Sequence, residues 1–251
     1  MNSKYESNSK IILSIKSLTK SFGENHILKN ISLNLHENEN LVVMGKSGAG
    51  KSLLIKCIVG LVKPDQGSIF FNKIDLAKSL SKEMSYARNS FGFLFQSGAL
   101  YDSMSVRENL EFPLRRRMLK LSAQQINLLV DEALNDVGLL KTKNLMPQEL
   151  SGGMRKRVGL ARTLILKPKI IFYDEPTTGL DTATSREIIN LINVIKNKYL
   201  TSAIIISHDI ECIKLNSDRV AVLHNGEIYA NENYVSLLNS NDSNIKQFFP
   251  M

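Results

Sequence analysis

Eight consecutive residues, Gly45-Lys46-Ser47-Gly48-Ala49-Gly50-Lys51-Ser52, constrain this chain more than any other stretch. They match G-x-x-x-x-G-K-[ST] in the setting that gives the pattern meaning. The apolar run 41–44 precedes them, and a helical run over 51–59 follows. Glycines let backbone N–H groups wrap closely around an anion. A helix that starts where such a turn ends aims its positive end at the same anion. Lys51 adds a point charge suited to β- and γ-phosphates, and Ser52 adds a hydroxyl suited to Mg²⁺. The unit predicts a strand, a phosphate-binding turn and a helix in a layered α/β fold.

The rest of the chain reads the same way. Residues 11–18 and 31–35 alternate apolar and polar, as strands do. Residues 67–72 and 91–95 are further strand candidates, and so are 203–206 and 220–223. Residues 169–173 form a nearly continuous apolar run, the mark of a strand covered on both faces of a parallel sheet. In the middle, Ile126, Leu129, Val130, Ala133, Leu134 and Val137 fall on one helix face. Ser122 and Gln125 have the capping-box spacing at its start, and Gly138 ends it. A helical insertion over about 97–166 follows. Ile188, Leu191, Ile192 and Ile195 mark another amphipathic helix. Strands alternating with helices favour layers of α on β. From Asn231 the chain is rich in Asn and Ser, but Val235, Leu237, Leu238, Ile245, Phe248 and Phe249 remain as apolar anchors. One or two short surface helices are expected there.

The strand Ile170-Ile171-Phe172-Tyr173 runs directly into Asp174-Glu175. Ligands of open α/β sheets sit beyond the carboxyl ends of strands. Asp174 would reach a metal through its water shell, and Glu175 would orient and polarise an attacking water. With the phosphate cradle, the pair signals a nucleoside triphosphatase.

A chain of 251 residues with 43% hydrophobic content suffices for one large α/β domain carrying an insertion. Lys and Arg number 32 against 24 Asp and Glu, a net charge of +8. A basic surface of this kind suits nucleic acid, an anionic membrane face or phosphorylated ligands alike. The two cysteines, Cys57 and Cys212, lie in apolar stretches and give neither a disulfide framework nor metal spacing. Residues 1–10 are polar and lack the apolar segment of a signal peptide. No stretch approaches the roughly 18 apolar residues that span a bilayer. The expectation is a cytosolic chain that reaches a membrane by docking onto another protein.

Leu150-Ser151-Gly152-Gly153-Met154 lies between the cradle and the acidic strand, with a helix expected from Arg155-Lys156-Arg157. Here the chain closely resembles the ABC ATPase family, whose signature motif this segment matches. The resemblance covers nearly the whole chain. It implies the P-loop NTPase fold of ABC ATPases: a RecA-like core, an antiparallel β subdomain and an inserted helical subdomain. It also implies one ABC ATPase domain over 10–230 and a helical tail over 231–251. Phe22 stands where the family stacks an aromatic on adenine. Gln96 matches the glutamine that senses Mg²⁺ and couples to the transmembrane partner. Asp181, in Pro176-Thr177-Thr178-Gly179-Leu180-Asp181, matches the acidic residue of the loop linking the two sites. His208 matches the switch histidine that contacts the γ-phosphate. The resemblance thus assigns ATP to Phe22 and to residues 45–52. It assigns Mg²⁺ to Ser52, Gln96 and Asp174, and catalysis to Glu175, His208, Gln96 and Lys51. It implies a head-to-tail homodimer in which Ser151 and the helix end beside it bind the partner's ATP.

Two segments narrow the resemblance further. The first is Phe95-Gln96-Ser97-Gly98-Ala99-Leu100-Tyr101-Asp102-Ser103-Met104-Ser105-Val106; the second is Ser151-Gly152-Gly153-Met154-Arg155-Lys156-Arg157-Val158. Both are similar to the ATPases of the Mla and Mce-associated lipid transporters, which share Met154 where most ABC ATPases carry Gln. This implies work on the cytoplasmic face of the cell membrane, with an integral permease and an Mce-domain lipid-binding protein. The cargo would be phospholipid or a related lipid. A coupling helix of the permease would dock beside Gln96 and residues 97–106. Arg115, Arg116, Arg117 and Lys120 read as a solvated helix face sooner than as a lipid-headgroup contact. Two alternatives stand beside this reading. One is another ABC transporter, of amino acids, metals or lipoproteins. The other is a soluble ABC ATPase on nucleic acid, which the charge allows. The paired cassettes or long arms usual in that second group are absent here, so no nucleic-acid partner is expected.

Overall fold

The computed structural model describes residues 10–79, 81–117 and 121–249. In chain order, β1 (Ile11–Phe22), β2 (Asn25–His36) and β3 (Asn40–Met44) lead into α1 (Lys51–Ile58). Then come β4 (Gln66–Phe71), β5 (Ile74–Asp75), α2 (Ser81–Asn89) and β6 (Phe91–Leu94). Three helices follow: α3 (Val106–Arg117), α4 (Ala123–Asp136) and α5 (Gly152–Leu164). The chain continues through β7 (Ile170–Asp174), α6 (Thr182–Tyr199), β8 (Ser202–Ile206) and α7 (Ile210–Asn216). It finishes with β9 (Arg219–His224), β10 (Glu227–Glu232), α8 (Tyr234–Leu238) and α9 (Ser243–Lys246).

Two sheets organise the chain. The six-stranded sheet has the order β10-β9-β3-β8-β7-β6 and is parallel except for the β9–β10 hairpin. The four-stranded sheet, β2-β1-β4-β5, is antiparallel throughout. The central strands are apolar because both their faces are covered. On β7, Ile170 and Phe172 point into a core shared with α1 and the antiparallel sheet; Ile171 and Tyr173 point the other way, under α6 and α7. That is the two-residue period of a strand. Cys57 and Cys212 are buried, one in each of these cores. Burial pushes their thiols up, to about 11 and about 12, so both act as small apolar side chains.

α3, α4 and the outer face of α5 enclose a third core around Leu110, Leu114, Val130, Leu134 and Val158. The capping box of α4 forms as its spacing predicts: Gln125 N–H donates to Ser122 Oγ at 3.2 Å, and Ser122 N–H donates to Gln125 Oε1 at 2.8 Å. Gly138 follows that helix with φ +71°.

Several elements go beyond the sequence reading. β1 runs to Phe22 and β2 begins at Asn25, because their polar outer ends continue the pairing around a turn at Gly23. β5, α2, α7 and the edge strand β10 have no clear periodic signal in the sequence. β10 is largely exposed and follows Asn225-Gly226, both at positive φ, the geometry of a two-residue hairpin turn. α5 starts at Gly152 rather than at Arg155: Ser151 is its N-cap, and the two glycines form its first turn. The tail forms α8 and α9, tied down by Ile245 and Phe249 in the core under α6. Lys120 lies outside the described residues. Among the described residues no helix is long and apolar enough to cross a membrane.

Candidate active site

β3 ends at Met44, and the chain turns within six residues into α1. Two of the glycines are fixed by neighbours. A Cβ on Gly45 would lie under 3.0 Å from the Leu223 carbonyl oxygen of β9, and one on Gly50 would lie 2.8 Å from Leu28 Cδ2. Gly48 is different. Its φ is +79°, and a Cβ there would meet nothing within 4 Å, so the turn's outer side is open. Lys51 reaches back into the turn and donates to the carbonyls of Gly45 (2.7 Å) and Lys46 (3.0 Å). Burial lowers the pKa of its ammonium, against the opposing pull of Glu175 and Asp174.

β7 delivers Asp174 and Glu175 to the same place. Ser52 Oγ donates to Asp174 Oδ1 at 3.4 Å. Burial raises the pKa of Asp174 and the nearby Glu175 adds to that; the Ser52 hydrogen bond pulls against it. Glu175 breaks the strand with φ +51°, and its N–H donates to the Ile206 carbonyl of β8 at 3.0 Å. Glu175 Oε2 accepts from Thr178 Oγ1 at 3.3 Å and lies 2.8 Å from His208 Nδ1.

These groups line one cavity of about 940 Å³, together with Phe22, Gln96 and residues 45–48 and 50–52 of the turn. Phe22 sits at the end of β1 with 54% of its surface exposed, and the Lys20 ammonium lies 5.2 Å from its ring centroid. Ala49, on the inner side of the turn, packs against the core. The tail contributes Gln247 and Phe248 to the cavity wall. The sequence marks Phe248 as one of the tail's apolar anchors, but nothing local to it or to Gln247 signals that either would reach this cavity. Ser52, Asp174 and Gln96 supply hydroxyl, carboxylate and amide oxygens to the cavity. Such a sparse oxygen set fits Mg²⁺, which takes one or two protein groups plus substrate phosphates.

The signature residues do not join this cavity. Leu150 is buried in the helical core. Ser151 Oγ accepts from Met154 N–H at 3.2 Å, and Met154 packs against the same core. Gly152 borders a neighbouring cavity of about 390 Å³ with Gln96 and Thr178. A Cβ on Gly153 would lie under 3.0 Å from Thr184 Cγ2 of α6. Asp181 also stands apart as the N-cap of α6, accepting from Thr184 N–H at 3.0 Å and Thr184 Oγ1 at 2.6 Å. Those bonds hold its carboxyl below the usual range.

A groove of about 860 Å³ runs between β6 and α3. Phe93 and Phe95 stack there at 4.0 Å, and Tyr101 and Phe112 pack at 5.1 Å. Arg116, Arg117 and Arg162 line it. Arg115 instead pairs with Glu111 at 2.7 Å. The basic run therefore divides between a solvated helix face and this groove.

The family model for ABC transporters matches residues 28–178, from β2 through the cradle and signature to the loop after Glu175. The chain belongs to the ABC transporter family. It is an ATPase subunit of a transporter. A probable ribonucleotide transport ATP-binding protein from Mycobacterium leprae is 37% identical over 238 residues, 95% of this chain and 68% of that one. The ATP-binding protein of an intermembrane phospholipid transport system in Haemophilus influenzae is 35% identical over 237 residues, 94% of this chain and 89% of that one. A solved ATP-binding cassette, dimeric in a post-hydrolysis state with ADP and Pi, superposes with a TM-score of 0.80 at 31% identity, covering 88% of this chain and 98% of that one. The named cargoes of the two relatives differ, so ABC membership fixes the ATPase and leaves the cargo to be argued.

Proposed function

We propose that this chain powers a lipid-moving ABC transporter as a head-to-tail homodimer. One observation carries the dimer. The cradle, Asp174, Glu175 and His208 line one cavity, whereas the Ser151 end of α5 lies outside it. A second copy would bring its Ser151, Gly152 and Gly153 to the open side of the turn beside Gly48, sealing the γ-phosphate against a helix end. Phe22 would stack on the adenine, and the amides of residues 45–52 with Lys51 would hold the phosphates. Ser52, Gln96 and Asp174 would hold Mg²⁺, which when bound neutralises charge on the β- and γ-phosphates. Glu175 Oε2 is engaged by Thr178 and His208, which leaves Oε1 to take the proton of the attacking water. His208 holds that carboxylate from the cavity side.

The aromatic groove beside Gln96 suits a permease helix, with arginines ready for a carboxylate on it. The lipid cargo and an Mce-domain companion are supported by the segments 95–106 and 151–158 and by the phospholipid-transport relative. The complex would sit on the cytoplasmic face of the membrane. Purifying the tagged chain from membranes with its partners tests this. The expected result is a permease and an Mce-domain protein with bound phospholipid. A permease without that companion, whose ATPase is stimulated by a ribonucleotide or another small solute, would overturn the lipid reading and leave the ATPase intact.

A further inference from the structure

Lys156 lies on α5, one turn beyond Ser151, and is only 4% exposed. Its Nζ donates to the carbonyls of Pro176 (2.7 Å) and Thr178 (2.7 Å) and lies 3.5 Å from that of Glu175. An ammonium has three protons, and three main-chain oxygens meet them. Among the described residues it forms no ion pair; the charge that acts on it is Glu175. A buried cation with no carboxylate against it is costly, so this one needs a structural reason.

The loop it holds supplies that reason. Residues 175–178 begin with Glu175 at φ +51° and lead to Gly179 at φ +78°. The turn points the Pro176 and Thr178 carbonyls toward α5, together with that of Glu175, which also accepts from Thr178 N–H at 3.3 Å, and Lys156 collects them. Glu175 is thus fixed at five points: by Ile206 on its N–H, by the Thr178 hydroxyl and His208 on its carboxylate, and by Thr178 N–H and Lys156 on its carbonyl. One turn back, at the start of the same helix, lie Ser151-Gly152-Gly153, which in the proposed head-to-tail dimer would close on the partner's nucleotide.

We propose that Lys156 is a positioning residue that ties the signature end of α5 to the Glu175 loop, so that each protomer's grip on its partner's nucleotide sets the geometry of its own Glu175. The proposal rests on the reading of Glu175 as the group that orients water. It assigns to Lys156 an effect on turnover exerted through Glu175, not on nucleotide affinity.

The test is a double-mutant cycle on the full chain, comparing Lys156→Met, Lys156→Gln, Glu175→Gln and the Glu175→Gln/Lys156→Met pair. Lys156→Met is expected to lower kcat at least tenfold while KM for ATP stays within threefold. Lys156→Gln keeps an N–H donor and should fall between wild type and Lys156→Met. In the Glu175→Gln background, Lys156→Met should cost less than a further twofold, because its target is already gone. Where Lys156→Met does not fold, Lys156→Gln replaces it throughout the cycle. Multiplied losses in the double variant, or a loss confined to KM, would overturn the proposal. Normal turnover of Glu175→Gln alone would overturn the reading beneath it as well.

Discussion

His208 Nδ1 lies 2.8 Å from Glu175 Oε2, at the ends of two neighbouring parallel strands. The two partners differ in exposure: the Glu175 side chain is 16% exposed and that of His208 68%. The carboxylate is sheltered and the imidazole faces the cavity. Replacing the carboxylate by an amide keeps this shape and removes the proton acceptor. Glu175→Gln should therefore bind ATP as wild type does and lose about 10²- to 10⁴-fold in turnover. With ATP present the dimer should accumulate, as seen by size-exclusion chromatography beside phosphate release. Turnover within threefold of wild type would remove Glu175 from the base role.

Lys51 gives a second prediction. Its ammonium lies over the carbonyls of Gly45 and Lys46, inside the turn that would wrap the phosphates. Hydrogen bonds to charged groups contribute about 1.5–3 kcal/mol. Lys51→Ala should thus weaken ATP binding or turnover by about 10- to 100-fold, read by titration of a fluorescent ATP analogue and by steady-state kinetics. Unchanged values in both assays would show that the backbone of the turn alone carries the phosphates.

Asp174 pits function against stability. Burial raises its folded pKa above that of the unfolded chain, whose carboxylate titrates near 3.9. The native state then binds this proton more tightly than the unfolded state does. Its contribution to stability is fully present below the unfolded pKa and is lost as pH rises through the folded pKa. Asp174→Asn carries no such charge. Its Tm should match wild type near pH 4 and exceed it at pH 7.5, with the gap opening between. ATPase activity should be lost over the same range. A Tm offset that stays constant with pH would mean that the charge is not the cause.

What the sequence made legible is what local chemistry dictates. The turn at 45–52 needs glycine at fixed places, Ser122 and Gln125 cap α4 through their own backbone, and β7 must be apolar because both its faces are covered. Four features depend on distant neighbours and left little or no local sign. α2 is polar in sequence, but Arg88 fastens it to the carbonyls of Val59 and Gly60. β10 shows little apolar alternation, and Tyr229 on it anchors Asp242 of the tail at 2.6 Å. Phe248 reaches the active-site cavity only because Ile245 and Phe249 on either side are buried. Lys156, in the basic run Arg155-Lys156-Arg157, carries no local sign of its burial, which comes from the loop after Glu175 folding against it.

Gly153 offers a test of the packing at the signature end. In a helix, Ala is favoured over Gly by about 1 kcal/mol, so propensity alone predicts that Gly153→Ala stabilises. Packing opposes this. The new Cβ would lie under 3.0 Å from Thr184 Cγ2. Thr184 cannot swing aside freely, because its Oγ1 donates to Asp181 Oδ2 at 2.6 Å in the cap of α6. Relieving the overlap means moving α5 against α6 or breaking that cap, and overpacking of this kind costs about 1–3 kcal/mol. Gly153→Ala should therefore lower stability in urea denaturation. Thr184→Ser removes only the offending methyl and keeps the hydroxyl, so adding it to Gly153→Ala should restore wild-type stability or better. If Gly153→Ala alone proves as stable as wild type, the helices have room to part, and the close fit of the signature turn against α6 is not what holds it in place.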